Sequence, residues 1–230
     1  NSTANLESAD GLFFENTTRY PNGGSLINNS FVYTQINFVI SKKHELNIGG
    51  RGDYNDLSAE FIENGVYSFP YSAINNKNLS FVFSSTLKSK ISSNFITNCS
   101  FYSGYRNPNI DDIGKVFSKN DKTVIIPNPE LKPEKSNNIE AGLVYSFRKK
   151  LHFNIQFFNS YIINAIKRSN SSLNGDTMLL YDGLMTRIQM NKNIASANIY
   201  GVNFMWIYNL NKKWLFKSAC NYVKGIDNEN

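Results

Sequence analysis

The stretch from Asn137 to Ile163 reads NNIEAGLVYSFRKKLHFNIQFFNSYII, and apolar and polar residues alternate along most of it. Alternation with a period of two is typical of a β-strand whose two faces meet different surroundings. Residues 148–150, Arg-Lys-Lys, interrupt the pattern as a short polar turn would. The stretch therefore predicts a β-hairpin with one apolar and one polar face. Its apolar positions are Ile139, Ala141, Leu143, Tyr145, Phe147, Leu151, Phe153, Ile155, Phe157, Tyr161 and Ile163.

The same alternation recurs along the chain and predicts eight strands in all. Aromatic residues are frequent, with 17 Phe and 13 Tyr among 230 residues, which favours strands over helices. Residues 1–28 are rich in Asn and Gly and are predicted to be loop. The predicted strands are 31–41, 45–54, 78–87, 93–105, 137–147, 151–163, 199–210 and 214–223.

The connections between these strands alternate in length. The short connections lie near 42–44, 88–91, 148–150 and 211–213, and each carries Lys or Arg, whereas the long ones are 55–76, 106–135 and 167–193. Transmembrane β-barrels have this asymmetry, with short periplasmic turns and long extracellular loops. A soluble up-and-down barrel with its two faces exchanged is the alternative, but it does not explain the asymmetry.

The apolar faces suit a lipid environment. No charged residue occurs on the apolar side from Leu151 to Ile163, where Lys or Arg at the bilayer midplane would cost ~2–4 kcal/mol. Aromatic residues are predicted to form interfacial girdles at strand ends. We therefore predict an all-β fold, an antiparallel transmembrane β-barrel segment of about eight strands. The predicted girdle residues are Tyr145, Phe147, Tyr208, Trp214 and Tyr222.

Composition argues against several other classes of protein. The net charge is +6, but no basic block or Arg-rich helix occurs, so nucleic-acid binding is not predicted. No apolar run reaches the ~18 residues of a membrane helix. The chain begins without Met and ends in IDNEN, which we interpret as an internal fragment of a longer protein.

Cysteine and histidine do not form a pattern typical of a metal or catalytic site. Cys99 and Cys220 lie outside any CxxC motif, and we predict that both are free thiols that face lipid, four strands apart. His44 is predicted to be a solvated turn residue, and His152 to face the lumen near the periplasmic end. No catalytic residue and no metal ligand is predicted, so the protein is not expected to be an enzyme. The tripeptide at 51–53, Arg-Gly-Asp, is interpreted as a chance match on a strand.

The longest connection is patterned rather than featureless. Residues Tyr102 to Glu134 read YSGYRNPNIDDIGKVFSKNDKTVIIPNPELKPE, and two Pro-containing boxes bracket an amphipathic turn at 110–117. Proline cannot donate a hydrogen bond to the strand ladder, so Pro108 is expected to end the fourth strand. Arg106 and Glu134 are predicted to form an ion pair at the loop base. The boxes are Tyr105-Arg106-Asn107-Pro108 and Asn128-Pro129-Glu130-Leu131.

We predict that the boxes mainly anchor this loop. The loop tip is the better candidate for direct contact with a ligand. Its candidate contact residues are Lys115, Lys119, Asn120, Asp121 and Lys122.

The segments 103–117 and 124–134 resemble a signature of TonB-dependent outer-membrane receptors, particularly those of Bacteroidetes. The stretches at 18–25, 164–166, 193–201 and 222–225 continue the resemblance. The resemblance implies a slice of a 22-stranded barrel, with residues 1–230 belonging to the barrel domain and the plug domain and remaining strands absent. It also implies a monomeric barrel in the outer membrane of a Gram-negative bacterium.

A receptor of this family takes up a scarce ligand, with energy relayed by the TonB complex through the plug domain. The resemblance implies a ferric siderophore or a heme-type iron complex as the transported ligand, and no resident cofactor. A cobalamin or glycan receptor of the same family is an alternative. A small passive or structural eight-stranded outer-membrane barrel is another.

The heme receptors of the family carry paired boxes of FRAP and NPNL type with a histidine between them. Here Asn107 replaces the small alanine, and no histidine lies between Pro108 and Asn128. An axial imidazole for heme iron is therefore missing from this loop. We accordingly favour a siderophore or an unspecified iron complex over heme.

Overall fold

The computed structural model describes residues 4–7, 10–16, 18–62, 72–120, 122–148, 150–181 and 183–229. Nearly all regular structure in these ranges is β-strand. One short helix, α1 (Ile110–Ile113), interrupts the longest loop. The strands are β1 (Ala4–Glu7), β2 (Phe13–Asn16), β3 (Gly24–Val39), β4 (His44–Glu60), β5 (Ala73–Lys90), β6 (Phe95–Arg106), β7 (Phe117–Asn120), β8 (Thr123–Ile126), β9 (Glu134–Phe147), β10 (Leu151–Asn170), β11 (Met178–Tyr181), β12 (Leu184–Asn209) and β13 (Leu215–Glu229).

The eight long strands form one curled antiparallel sheet, which confirms the predicted fold class. Their order is β3, β4, β5, β6, β9, β10, β12 and β13, so each long strand lies beside the next long strand in the chain. Strands β1 and β2 form a separate hairpin. Strand β8 pairs in parallel with β12, and β7 and β11 complete the edge next to it.

The outer face of the sheet is apolar across its whole width. One line of register partners crosses all eight long strands, and every member of that line is apolar. Such a continuous apolar row is what a lipid-facing barrel wall requires. The row consists of Phe38, Leu46, Leu87, Cys99, Ala141, Phe157, Val202 and Tyr222.

The inner face is polar and hydrogen-bonded. Glu140 on β9 accepts hydrogen bonds from the Tyr102 hydroxyl at 2.6 Å and from the Gln156 side-chain amide at 2.5 Å. The predicted assignment of polar residues to the inner face is therefore confirmed. A parallel line of partners on this face contains Glu45, Lys88, Asn98, Gly142, Gln156, Asn203 and Asn221.

The strands extend further than their alternation predicted. Strand β4 continues to Glu60, β10 to Asn170, and β12 begins at Leu184, so much of the predicted loops 55–76 and 167–193 is strand. The prediction failed because these segments pack against a loop: Leu57 and Ala59, for example, are buried on the inner face of β4. Residues 24–28, predicted to be loop, also belong to a strand, β3.

The short turns are built by repeated side-chain caps. Ser41 Oγ accepts hydrogen bonds from the backbone amides of Lys43 and His44, and Ser92 and Asn211 cap their turns in the same way. One predicted turn was misplaced. The connection between β5 and β6 is 91–94, which carries no cation, whereas Lys88 and Lys90 belong to the end of β5. Of the predicted girdle residues, Tyr222 lies in the interior of β13 rather than at a strand end.

The part of the sheet that the structure describes does not close on itself. Within the described residues, β3 pairs only with β4, and β13 pairs only with β12. An isolated eight-stranded barrel would require β3 to pair with β13, so the structure does not support that alternative.

Cys99 and Cys220 are free and exposed, as predicted. Cys99 pairs with Leu87 and Ala141 on the outer face, and Cys220 pairs with Phe204. No helix among the described residues is long and apolar enough to cross a membrane.

Candidate functional site

The loop between β6 and β9 folds back onto the inner face of the sheet. Ile113 of α1 and Leu131 of the second box pack against Leu57, Ala59 and Ile74 from β4 and β5. All five side chains are at most 2% exposed. The predicted long loop is thus an ordered element that is held by a small apolar core of its own.

The turn of α1 is fixed by local capping. The Asn109 side chain accepts a hydrogen bond from the Asp112 amide, and the Asp112 carboxylate accepts one from the Asn109 amide. This reciprocal arrangement satisfies two amides at the start of the helix. Pro108, directly before the cap, is fully buried, and β6 ends at Arg106. The expectation that Pro108 follows the end of this strand is therefore confirmed.

Arg106 connects the two ends of the loop. Its Nε lies 2.5 Å from Glu134 Oε2, and its Nη1 lies 2.6 Å from Asp112 Oδ2. The other oxygen of Glu134 accepts a hydrogen bond from the Ile166 amide of β10 at 2.6 Å. The ion pair predicted at the loop base is confirmed, and it additionally holds α1 and β10.

These contacts change the ionisation of both partners. Burial by itself would raise the pKa of Glu134, but the hydrogen bonds from Arg106 and from the Ile166 amide outweigh burial and lower that pKa. The hydrogen bond to Glu134, with that to Asp112, raises the pKa of Arg106 despite partial desolvation. The ion pair between Arg106 and Glu134 is therefore charged at neutral pH. We call the contacts of this pair with α1 and β10, at the base of the loop, the junction.

The segment that precedes β3 joins the same junction. The Tyr20 hydroxyl donates a hydrogen bond to Asp111 Oδ1 at 2.6 Å, and the Val116 amide donates to the Arg19 carbonyl at 3.0 Å. The hydrogen bond from Tyr20, followed by that from Lys115, lowers the pKa of Asp111. The same hydrogen bond to Asp111 raises the pKa of Tyr20.

Four asparagine side chains tie the second box and the adjoining loop residues to the sheet, and we call this group the asparagine clamp (Asn76, Asn128, Asn191 and Asn193). Asn76 on β5 donates to the carbonyls of Pro129 at 3.1 Å and Leu131 at 2.8 Å. These bonds secure the box to the β5 side of the sheet.

Bonds to β12 secure the other side. Asn128 donates to the Asn191 carbonyl at 2.7 Å, and the Asn191 side chain donates to the Asp112 carbonyl at 2.9 Å. Asn193 exchanges two hydrogen bonds with the backbone of Lys132, and it also donates to the Asn164 carbonyl at 2.8 Å. The loop thus spans the inner side of the sheet from β5 to β12.

One side chain of the first box, Asn107, contacts a buried residue of β4. The Asn107 side-chain amide lies 3.4 Å from the Asp53 carboxylate, which is 3% exposed and ion-paired to Arg51 at 2.9 Å. The Arg-Gly-Asp tripeptide is therefore an internal part of β4, as its placement on a strand predicted. Tyr105 is half-buried.

The predicted loop-tip residues differ in their surroundings. Lys115 is 14% exposed and ion-paired to Asp111 at 3.1 Å, so it supports α1 rather than extending from the tip. Lys122 is exposed, in the turn between β7 and β8. Asp121 lies outside the described residues, and of Lys119 and Asn120 the structure describes only the backbone, within β7. Glu130, which lies in the second box two residues after Asn128, is exposed.

The two histidines lie far from this junction. His44 begins β4, and its Nδ1 lies 2.9 Å from Ser89 Oγ, so it has a partner that the prediction of a solvated turn residue missed. His152 Nδ1 lies 2.9 Å from Ser146 Oγ near the short-turn end, where it was expected. Among the described ranges, no group of His, Cys, Asp or Glu side chains could hold a metal ion.

Sequence reasoning missed most of the clamp. Asn76 and Asn191 lie in segments that read as long loops, and nothing in the strand alternation marks them. Asn193 and Tyr20 do fall within stretches that the family resemblance singled out. That resemblance was the available signal, since a side-chain amide that bonds to a distant backbone has no periodic signature.

Comparison with known proteins agrees with a barrel-type sheet. Residues 2–229 match the family model described as TonB dependent receptor-like, beta-barrel. Among curated proteins, none matches the chain.

Solved structures with the same fold are distant in sequence. They include the copper transporter OprC, with a TM-score of 0.66, 13% identity and coverage of 93% of this chain and 30% of that one. The ferric yersiniabactin uptake receptor FyuA from Yersinia pestis has a TM-score of 0.59 and 12% identity, with 89% and 28% covered. The Serratia marcescens hemophore receptor HasR, solved as a double mutant with its hemophore HasA and heme, has a TM-score of 0.67 and 13% identity, with 87% and 34% covered.

An open curled sheet with an apolar outer face, a polar inner face and an inward-folded loop defines a segment of a receptor-type membrane barrel. The chain belongs to the TonB-dependent receptor family, in its β-barrel domain. It spans about a third or less of the length of the three structures just named.

Proposed function

We propose that this chain is part of a monomeric outer-membrane receptor that takes up a scarce iron complex, most consistent with a ferric siderophore, using energy relayed by the TonB complex. The observation that carries the proposal is the β6–β9 loop, which is anchored to the inner wall at the long-loop end of the sheet. An ordered loop there offers a rigid surface at the mouth of the barrel, where a ligand from outside would first bind.

The two boxes support the loop, and residues beside and between them are the candidates for ligand contact. In this proposal Tyr105, Arg106, Asn107, Pro108, Asn128, Pro129 and Leu131 position the loop. Glu130 and Lys122, which are both exposed, and the tip residues Lys119, Asn120 and Asp121 are the proposed ligand contacts. Two of these residues, Lys119 and Lys122, are cationic and would attract a ferric chelate that carries negative charge.

The choice of an iron complex rests on chemistry and on the character of related proteins. Ferric yersiniabactin and ferric enterobactin receptors are among the structures that share this fold, but so is a copper transporter. The missing histidine between Pro108 and Asn128 speaks against heme.

Growth of a strain that lacks the gene tests the ligand. The strain is grown under iron limitation with either a ferric siderophore or heme as the sole iron source, with and without the complementing gene. We expect growth on siderophore iron to require the gene and a functional TonB. Loss of growth on heme alone would replace the siderophore assignment with heme. Unchanged growth on both sources would reject an iron complex altogether.

Variants of the loop tip test the contact residues. Lys119→Gln combined with Lys122→Gln should raise the ligand concentration needed for half-maximal uptake about three- to tenfold, because two cations near the ligand are lost. Lys77→Gln is the control, since Lys77 is exposed on β5, outside the β6–β9 loop. An equal effect of both changes would show that the tip has no special role.

A further inference from the structure

The positive charge of this chain is concentrated at the short-turn end of the sheet. Ten of its 24 Lys and Arg residues occur there, but only one of its 18 Asp and Glu residues, Glu45. The rest of the chain thus has 14 cations against 17 anions, so the net charge of +6 arises entirely at this end. The ten cations are Lys42, Lys43, Lys88, Lys90, Arg148, Lys149, Lys150, Lys212, Lys213 and Lys217.

Six of these cations lie on three of the turns and define what we call the basic collar. They are exposed, and none of them takes part in an ion pair within the described part of the chain. Residue 149 lies between two of them, outside the described residues. The collar consists of Lys42, Lys43, Arg148, Lys150, Lys212 and Lys213.

The remaining cations reinforce this charge from the inside. Lys88, Lys90 and Lys217 project from the inner face of β5 and β13, next to the same turns. Glu45 is the cross-strand neighbour of Lys88, and no ion pair joins them. Glu45 is thus the one anion at this end among the described residues, it makes no ion pair with a collar residue, and the adjacent like charges of the collar repel one another.

The collar is continuous with the lipid-facing surface. Aromatic side chains lie directly beside it on the outer face: Trp214 stacks on Phe216 with a ring-centroid distance of 6.4 Å, and Phe95 lies 4.5 Å from Tyr145. The Arg148 guanidinium lies 5.3 Å from the ring centre of Phe147. Aromatic residues of this kind occupy the headgroup level of a membrane barrel. The collar consequently begins where the headgroups of the adjacent leaflet lie.

We propose that the basic collar binds the anionic headgroups of phospholipids in the leaflet next to the short turns, which in this class of barrel is the periplasmic one. Long Lys and Arg side chains reach along the surface to the phosphate level while their stems stay on apolar surface. Cations near an anionic membrane surface attract it by an amount that accumulates over the cluster. The collar thereby fixes the depth and tilt of this part of the barrel. This inference rests on the membrane placement in the proposed function and not on the ligand.

Lipid retention by the intact receptor tests the proposal. The protein is purified in micelles with equimolar phosphatidylglycerol and phosphatidylcholine, and the lipids that remain bound are counted by native mass spectrometry. We expect phosphatidylglycerol to be retained preferentially. Replacing the six collar cations by Gln should lower its apparent affinity at least about tenfold. Raising the salt to about 1 M should reduce retention, because it shortens the screening length to about 3 Å.

A matched variant provides the control. It replaces six cations away from the short-turn end by Gln: Lys77, Lys132, Lys135, Arg168, Arg187 and Lys192. It removes the same charge but should keep the phosphatidylglycerol. Smaller variants guard against misfolding: Lys42→Gln with Lys43→Gln, and Lys212→Gln with Lys213→Gln, should each give part of the loss.

Three results would overturn the proposal: full retention by the collar variant, equal retention of phosphatidylcholine, or equal loss in the control variant. Displacement of the lipid by inorganic phosphate at the same concentration would show a general anion site instead. Uptake at saturating ligand separates the two proposals. A collar variant that loses lipid but still transports leaves the proposed function intact, and a wild-type protein that retains lipid without transporting iron refutes only the proposed function.

Discussion

Asn193 on β12 and Lys132 in the loop pair through two hydrogen bonds, as two backbones would in a sheet. The Lys132 amide donates to Asn193 Oδ1 at 2.8 Å, and Asn193 Nδ2 donates back to the Lys132 carbonyl at 2.9 Å. The side-chain amide of Asn193 thus makes the two hydrogen bonds that a neighbouring strand would make, at the point where the loop contacts the sheet.

Removing that amide should loosen the loop. We expect Asn193→Ala to lower the local stability of residues 128–134 by about 1–3 kcal/mol, because the Lys132 and Asn164 backbone groups lose their partner. Hydrogen exchange of this segment in the intact protein measures the change. Asn203→Ala, on the inner face of the same strand, is the control. Equal protection in Asn193→Ala and wild type would contradict the clamp.

Acid should release the loop base. The pKa of Glu134 is lowered in the fold, so its stabilising contribution is complete above the ordinary value of about 4.3 and is lost as the pH falls below it. We expect a nitroxide label at position 130, with Cys99 and Cys220 replaced by Ser, to become more mobile below about pH 4.

Glu134→Gln is the matched variant for this titration, because its side-chain oxygen still accepts the Ile166 amide hydrogen bond. Most of the pH dependence should disappear in it. A residual response from Asp111, whose pKa is also lowered, is expected, and Asp112, Lys115 and Tyr20 face the same junction. A label that responds to acid equally in wild type and Glu134→Gln would assign the effect to other groups.

Gly201 should tolerate no side chain. A Cβ at this position would lie 2.8 Å from the Phe158 ring and would also clash with the Tyr222 carbonyl on β13. We expect Gly201→Ala to destabilise the barrel by about 1–3 kcal/mol through overpacking, seen as a lower temperature of conversion from the folded to the unfolded band on a gel. Gly225→Ala on β13 meets no atom within 4 Å and serves as the control. The packing interpretation fails if both variants convert at the same temperature.

The two cysteines should react from the membrane side. Both are free and lie on the outer face, so a membrane-soluble maleimide should label both Cys99 and Cys220, and a charged maleimide should label neither in intact membranes. Migration on a gel should be the same with and without reductant. A reductant-sensitive shift would show a disulfide and would contradict the strand order that separates them.

Much of this architecture could be predicted from the sequence because the two faces of the sheet meet different surroundings. In the hairpin from Asn137 to Ile163, successive residues face lipid and the polar interior in turn. This alternation can be recognised from neighbouring residues alone. Three of the four short turns and the ion pair between Arg106 and Glu134 were also predicted, whereas the turn between β5 and β6 was misplaced. The ends of the strands were not predicted. Beyond the lipid the outer face meets water and the inner face meets a loop, so apolar and polar residues no longer alternate there.

The site was decided by tertiary structure. The sequence alone showed a patterned loop with two proline boxes, but not that it folds inward and bonds to Asn76, Asn191 and Asn193. Those contacts join residues as far as 79 positions apart, such as Asn191 and Asp112. Only the register and curvature of the sheet bring them together. Local alternation determines which side of a strand each residue faces, whereas a hydrogen bond between a side-chain amide and a distant carbonyl exists only once the wall has formed.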